Sequence, residues 1–312
     1  MKATALSLAT AGCLLLGIVA GCSDPDGGSS AANTAATAGD IASGVSPDSA
    51  AAALLPASVR SKGSLTVALD LHYPPTSFLS PAKQPVGFNV DIAKLLAAKL
   101  GLKLDIQNVS FATIIPGLTG GRYDFTASDM SATAARLKVL DMINYWTDGS
   151  SLAVKAGNPG NLDINTPSVC GKSIAVMTGT TQQETYLPAL SKNCAGAGKA
   201  AVNSVVLPNV DTALTQLGSG RIDGIFYDTP SLAYAVKQNG TAFALAAAQY
   251  AKPAGSDSDL VAIGLRKNSE LTKAMQAAMQ SLIDSPLYLK ALTNWGLQSG
   301  AIKTASIAAA SS

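Results

Sequence analysis

From residue 65 onward, short apolar runs bounded by turn residues alternate with stretches whose apolar positions recur at helical spacing. Residues 65–69, 104–109 and 124–127 read as strands, with helices at 89–100 and 114–120. The alternation resumes with strands at 173–177, 201–207 and 224–227 and helices at 182–192 and 210–218. Between the halves, 152–155 reads as a strand followed by Gly157, Asn158, Pro159 and Gly160, turn residues suited to a crossover. A strand at 260–265 then precedes helices at 270–282 and around 288–295. Such alternation predicts mostly parallel sheets in an α/β architecture. A return of the last elements to the first half makes the chain cross twice, which is the two-strand hinge of a clamshell.

The N-terminal region lacks this pattern. Lys2, the uncharged run 3–20 and small residues before Cys22 have the grammar of a secretory signal peptide, expected over 1–21. Ile18-Val19-Ala20-Gly21-Cys22 resembles a lipobox, which makes Cys22 the acylated mature N-terminus and leaves Cys13 in the discarded peptide. Residues 23–49 are almost entirely small and polar types and should be disordered with a reach of about 30 Å, within a lipid-anchored tether expected over 22–57. The first lobe is expected over 58–154 and 253–302, the second over 155–252, and a disordered tail over 303–312.

Net charge is +2, charged residues make up 13% of the chain, and no basic run occurs, so nothing points to a nucleic-acid partner. Of four cysteines, Cys170 and Cys194 remain in the folded part, and an even pair in an exported domain predicts a disulfide. There is no second cysteine pair or histidine cluster for zinc, and Gly171-Lys172-Ser173 is no phosphate loop because Thr166 stands at the first glycine position. No metal or cofactor is expected.

Polar and aromatic residues gather where predicted strands end: Asp70 and Tyr73, then Phe111, then 128–136, then 178–181, then Asp228. Open parallel sheets bind ligands beyond these ends. The order and spacing of several blocks carry a resemblance: 65–70 followed by Tyr73-Pro74-Pro75, 87–93, Phe111 through 115–118 to 121–124, 130–133 with Arg136, 171–176 leading to 179–181, and 220–223 leading to 227–230. Over about 58–296 the sequence resembles the family 3 extracellular solute-binding proteins of polar amino acid ABC importers. These have the type II periplasmic-binding-protein fold, two lobes closing as a clamshell.

The resemblance implies that Arg136 grips a ligand α-carboxylate and Asp228 its α-ammonium, a pairing a buried zwitterion requires. It further implies carboxylate contacts from Ser131, Thr133, Thr180 and Thr181, and an aromatic sandwich from Tyr73 and Phe111. Simpler roles stand beside these: a solvated helix residue for Arg136, an N-cap for Asp228, caps or turns for the hydroxyls, and core for the aromatics. Asp129 departs from the family's usual glycine, and Met177 stands where some relatives have a polar or basic residue.

Asp70 and Asp129 add carboxylates beyond the zwitterion pair, which favours a cationic amino acid. The competing roles are an amide or hydroxyl acceptor for Asp70, and pairing with Lys138 or capping near Ser131 for Asp129. The expected partners are an amino acid and a membrane permease, with the protein a monomer at the outer face of the cytoplasmic membrane. An enzyme on the same fold with Asp129 as general acid, and a sensory module, are the alternatives.

Overall fold

The computed structural model describes residues 40–246, 248–252 and 259–309. The expected signal peptide, Cys22 and the tether up to residue 39 lie outside the described residues, as do 310–312 of the expected tail.

Two short helices, α1 (Ser49–Ala53) and α2 (Ala57–Lys62), precede β1 (Ser64–Leu69). The small strands β2 (His72–Tyr73), β3 (Ser77–Leu79) and β4 (Pro85–Val86) follow. Then come α3 (Phe88–Lys99), β5 (Lys103–Asn108), α4 (Phe111–Thr119), β6 (Phe125–Ser131), α5 (Ala134–Leu137) and β7 (Leu140–Thr147). The second half runs β8 (Ser150–Lys155), β9 (Ser173–Met177), α6 (Leu187–Gly196), β10 (Asn203–Leu207), α7 (Val210–Ser219), β11 (Gly224–Asp228), α8 (Thr229–Gln238) and β12 (Phe243–Leu245). Last come β13 (Leu260–Arg266), α9 (Thr272–Ile283) and α10 (Pro286–Asn294).

Two five-stranded sheets result, ordered β5-β1-β6-β13-β7 and β10-β9-β11-β8-β12, with β2-β3-β4 as a third small sheet. Each large sheet has a parallel trio: β1 lies between β5 and β6, and β9 between β10 and β11. Antiparallel strands complete both, β13 against β6 and β7, and β8 against β11 and β12. Because β13 inserts between β6 and β7 after the second sheet is built, the chain crosses between lobes twice.

The first crossing is earlier than the sequence indicated. Strand 150–155 pairs with β11 of the second sheet, so the chain changes lobe at Asp148 and Gly149 instead of after residue 154. The expected crossover residues 157–160 are a turn within the second lobe, where Asn158 bonds to Leu162. The missed strand β7, Leu-Asp-Met-Ile-Asn-Tyr-Trp-Thr, is buried over residues 142–146. Burial on both faces erases the period-2 pattern by which a half-buried strand is recognised.

Helix α3 buries eight of its twelve residues between the first sheet and helices α9 and α10. Its N-cap, Gly87, has φ +123, and a Cβ there would collide with the Thr76 carbonyl, so glycine lets β2–β4 pack onto the helix start. Separate apolar clusters cover the faces of the second sheet, one around Phe226 and Tyr186 and the other around Ile225 and Leu217. The Cys170–Cys194 disulfide forms there, tying the loop before β9 to α6. Among the described residues no helix is long and apolar enough to cross a membrane.

Both expected disordered ends need correction where they are described. Ile41, Ala51 and Leu55 are buried in the first-lobe core, and Asp48 caps α1 by accepting from the Ala50 and Ala51 amides. At the other end Ala305 is buried, Ile307 bridges to Ile143, and Asn144 Nδ2 donates to Ser306 Oγ at 2.9 Å. Sparse apolar residues sufficed because α9 and β7 supply preformed apolar surface. Leu55→Ala should therefore lower stability by about 2 to 3 kcal/mol in denaturant unfolding, whereas a tether residue would give no change.

Candidate functional site

The carboxyl ends of both parallel trios face one interlobe cleft. From the first lobe it is lined by Tyr73 on β2, Phe111 at the start of α4, Asp129 and Ser131 at the end of β6, and Arg136 on α5. From the second lobe Thr180, Thr181 and Gln182 follow β9, and Tyr227 and Asp228 end β11.

Arg136 is 5% exposed, which excludes the solvated-helix role. Thr133 caps its helix by accepting from the Arg136 amide at 3.3 Å. The guanidinium donates to the Ser131 carbonyl at 3.0 Å within its own lobe, and to the Gly179 carbonyl at 2.9 Å and Thr181 Oγ1 at 3.5 Å across the cleft. Gly179 has φ +77, the left-handed backbone that turns its carbonyl toward the arginine. Phe111 lies under the guanidinium, 5.6 Å from ring centre to Cζ.

Asp228 stands at the N-cap of α8, but its side chain makes no cap bond. Gln182 Nε2 instead donates to Asp228 Oδ1 at 2.6 Å and to Ser150 Oγ at 2.8 Å. Burial pushes the Asp228 carboxyl up to about 7, with Lys252 opposing. Thr181 precedes a π-helical turn, Gln182–Tyr186, that leads into α6. Such turns recur at functional sites.

Asp129 has φ +51, a left-handed conformation consistent with glycine being usual there, and one that aspartate tolerates. Its carboxylate accepts from Thr76 Oγ1 and lies 3.4 Å from the Tyr145 hydroxyl, which donates to Asn89 Oδ1 at 2.6 Å. Burial raises it to about 6, while the hydrogen bonds from Thr76 and Tyr145 pull the other way. It neither pairs with Lys138 nor caps α5.

Two expected residues, Asp70 and Thr133, are not in the cleft lining. Asp70 does not line the cleft: Oδ2 accepts from the Phe111 amide at 3.0 Å, and Oδ1 faces His72 Nδ1 at 3.0 Å. Thr133 is committed to its cap. Thr180 lines the cleft, but its hydroxyl donates to the Met177 carbonyl at 2.7 Å. Sequence reasoning missed Gln182 and Tyr227. Gln182 was legible as the residue after two cleft threonines, whereas Tyr227 read as a strand interior and is fixed here by an edge-on contact with Tyr73 at 5.1 Å. Among the described residues no group of histidine, cysteine or acidic side chains is placed to hold a metal ion.

Two lobes, two crossings and a cleft at the strand ends coincide with one family. Residues 65–298 match the family model of bacterial extracellular solute-binding proteins, family 3. The chain belongs to this family. A relative, the arginine-binding protein ArgT of Corynebacterium glutamicum, is 27% identical over 256 residues, covering 82% of this chain and 81% of the relative. An ancestral arginine-binding protein, solved with arginine and separately with glutamine, superposes at TM-score 0.66 with 28% identity, covering 75% of this chain and 98% of its own. An ancestral amino acid-binding protein described as a precursor of cyclohexadienyl dehydratase superposes at 0.63 with 26% identity, over 76% and 97%.

Asp129 and Asp228, with Asp91 pushed up to about 6 by burial, hold protons more tightly folded than unfolded, where carboxyls titrate near 4. Their contribution to ligand-free stability should fall as pH rises from about 4 to 7. Thermal midpoints measured across that range should show the decline, and Asp129→Asn and Asp228→Asn should each flatten it.

Proposed function

We propose that this chain is the substrate-binding subunit of an ABC importer, closing on a polar amino acid and presenting it to a membrane permease. The observation that carries this reading is that Arg136 and Asp228, opposite charges on opposite lobes, line the same cleft. A zwitterion between them gives both charges a partner, and the planar guanidinium suits a carboxylate. Ligand contacts made only when the lobes are together shift the population toward the closed form.

Two carboxylates and one guanidinium line the cleft, a net charge of −1 when both acids are ionised. A cationic amino acid brings a balancing charge and is the favoured ligand; the relative and the ancestral protein named for arginine agree with this. Cys22 carries the lipid anchor on the outer face of the membrane, and the protein acts as a monomer.

An enzymatic reading draws on Asp129, whose raised carboxyl could act as an acid, and on the likeness to a dehydratase precursor. Binding alone is favoured because Asp129 is held by Thr76 and Tyr145. Recovery of a chemically unchanged ligand from the complex separates the two.

By calorimetry with the amino acid found in a thermal-shift panel, Arg136→Ala and Asp228→Ala should each weaken binding by about 2 to 5 kcal/mol. Affinity near wild type in both would reject the zwitterion clamp. In fractionated cells, wild type should partition into detergent while Cys22→Ala appears soluble or uncleaved; wild type released by salt alone would reject the anchor.

A further inference from the structure

The small sheet β2–β4 belongs to the first lobe but reaches the second. Its base is tied to the start of α3, where the Phe88 amide donates to the Pro75 carbonyl at 3.3 Å and the Asn89 amide to the Thr76 carbonyl at 2.7 Å. Its strands then pair with one another, Phe78 lying between His72 and Val86. Two of its side chains touch the second lobe. Tyr73 packs against an apolar cluster there and meets Tyr227 edge-on, and Phe78 meets Tyr234 on α8 with ring centres 6.0 Å apart.

The two ring pairs differ in one respect. Tyr73 and Tyr227 line the cleft, so a ligand in it meets them, whereas neither Phe78 nor Tyr234 is part of that lining. Phe78 is backed by Trp295, edge-on at 5.7 Å, and Trp295 Nε1 donates to Asp91 Oδ2 at 2.8 Å. Trp295 follows α10 and Asp91 lies in the first turn of α3, so both belong to the first lobe. The Phe78 ring is thereby fixed on one lobe, while the ring it meets belongs to the other. A ring already in place loses little side-chain freedom on contact. All three rings are half-buried, and parting the lobes would wet the apolar faces that Phe78 and Tyr234 present to each other.

We infer that Phe78 and Tyr234 are an interlobe latch, which favours the closed arrangement whatever occupies the cleft and so scales affinity without contributing to selectivity. The inference rests on the reading above that the lobes close on an amino acid, and adds a pair of residues that sets the closure equilibrium from outside the site. A contact made only in the closed form, and equally for every ligand, shifts that equilibrium by one fixed factor, and apparent affinity follows the closed fraction. The Arg136 bonds across the cleft lack this property, because a ligand carboxylate competes for the same guanidinium.

Calorimetry of the common amino acids against wild type, Phe78→Ala, Tyr234→Ala and the double variant tests the latch. Each single variant should weaken every amino acid that binds by one common factor, about three- to tenfold for a ring pair at this separation. The double variant should lose no more than the larger single loss, because both remove the same contact. Tyr234→Phe keeps the ring and should bind within about twofold of wild type. Unchanged affinity in both single variants, a factor that differs between amino acids, additive losses in the double variant, or a loss in Tyr234→Phe equal to that in Tyr234→Ala overturns the latch. If wild type binds no amino acid, the importer reading fails and small-angle scattering judges the latch alone. A larger radius of gyration in Tyr234→Ala than in wild type then upholds it, and an equal one overturns it.

Discussion

A guanidinium withdrawn from water must find acceptors in fixed directions, and Arg136 finds them on both lobes at once. The Ser131 carbonyl holds it to its own lobe, while the Gly179 carbonyl and the Thr181 hydroxyl reach it from the other. Its helix is only four residues long and depends on the Thr133 cap. On the far side, the positive φ of Gly179 aims the carbonyl. The arrangement of β6, α5 and the loop after β9 is thus tied to one buried cation, and a ligand carboxylate would join or replace acceptors already in place.

The acids around the cleft oppose this charge at some cost. Burial raises Asp129 and Asp228, and Tyr227 between the lobes is pushed well above its ordinary value first by burial and then by the charges of Asp70, Asp129 and Asp148. A site that collects carboxylates is less stable when they are ionised and nothing positive is present. Loss of stability in the ligand-free protein and the affinity for an ammonium proposed above therefore have the same source, as expected where a binding site violates the rules a core obeys.

The segments flanking the family match show how surface elsewhere in the molecule changes the behaviour of a weak sequence. Residues 40–55 and 301–309 are poor in large apolar side chains, yet Ile41, Leu55 and Ala305 are buried on the first lobe. Gln280 joins the second of these segments to α9: its amide nitrogen reaches the Lys303 carbonyl, and its side-chain oxygen accepts from the Ala305 amide. Backbone bonds and a few methyl groups hold these stretches, and neither leaves a periodic trace.

The sequence by itself determined the α/β class and the disulfide pair, because local periodicity and turn chemistry are written in consecutive residues, but the sheets it led us to expect as mostly parallel carry as many antiparallel pairings as parallel ones beside each trio. Tyr73, Phe111, Ser131, Arg136, Thr180, Thr181 and Asp228, read at or just past strand ends, line one cleft, since a parallel sheet must gather its carboxyl ends on one edge. The true crossing at Asp148 and Gly149 was hidden because β7, buried on both faces, shows no alternation. Only the tertiary structure decided which acids are spent: Asp70 on an amide 41 residues away and Asp129 on a hydroxyl 53 residues away. Hydrogen bonds between residues so far apart depend on how elements pack, and packing is a property of the folded surfaces that no local stretch of sequence contains.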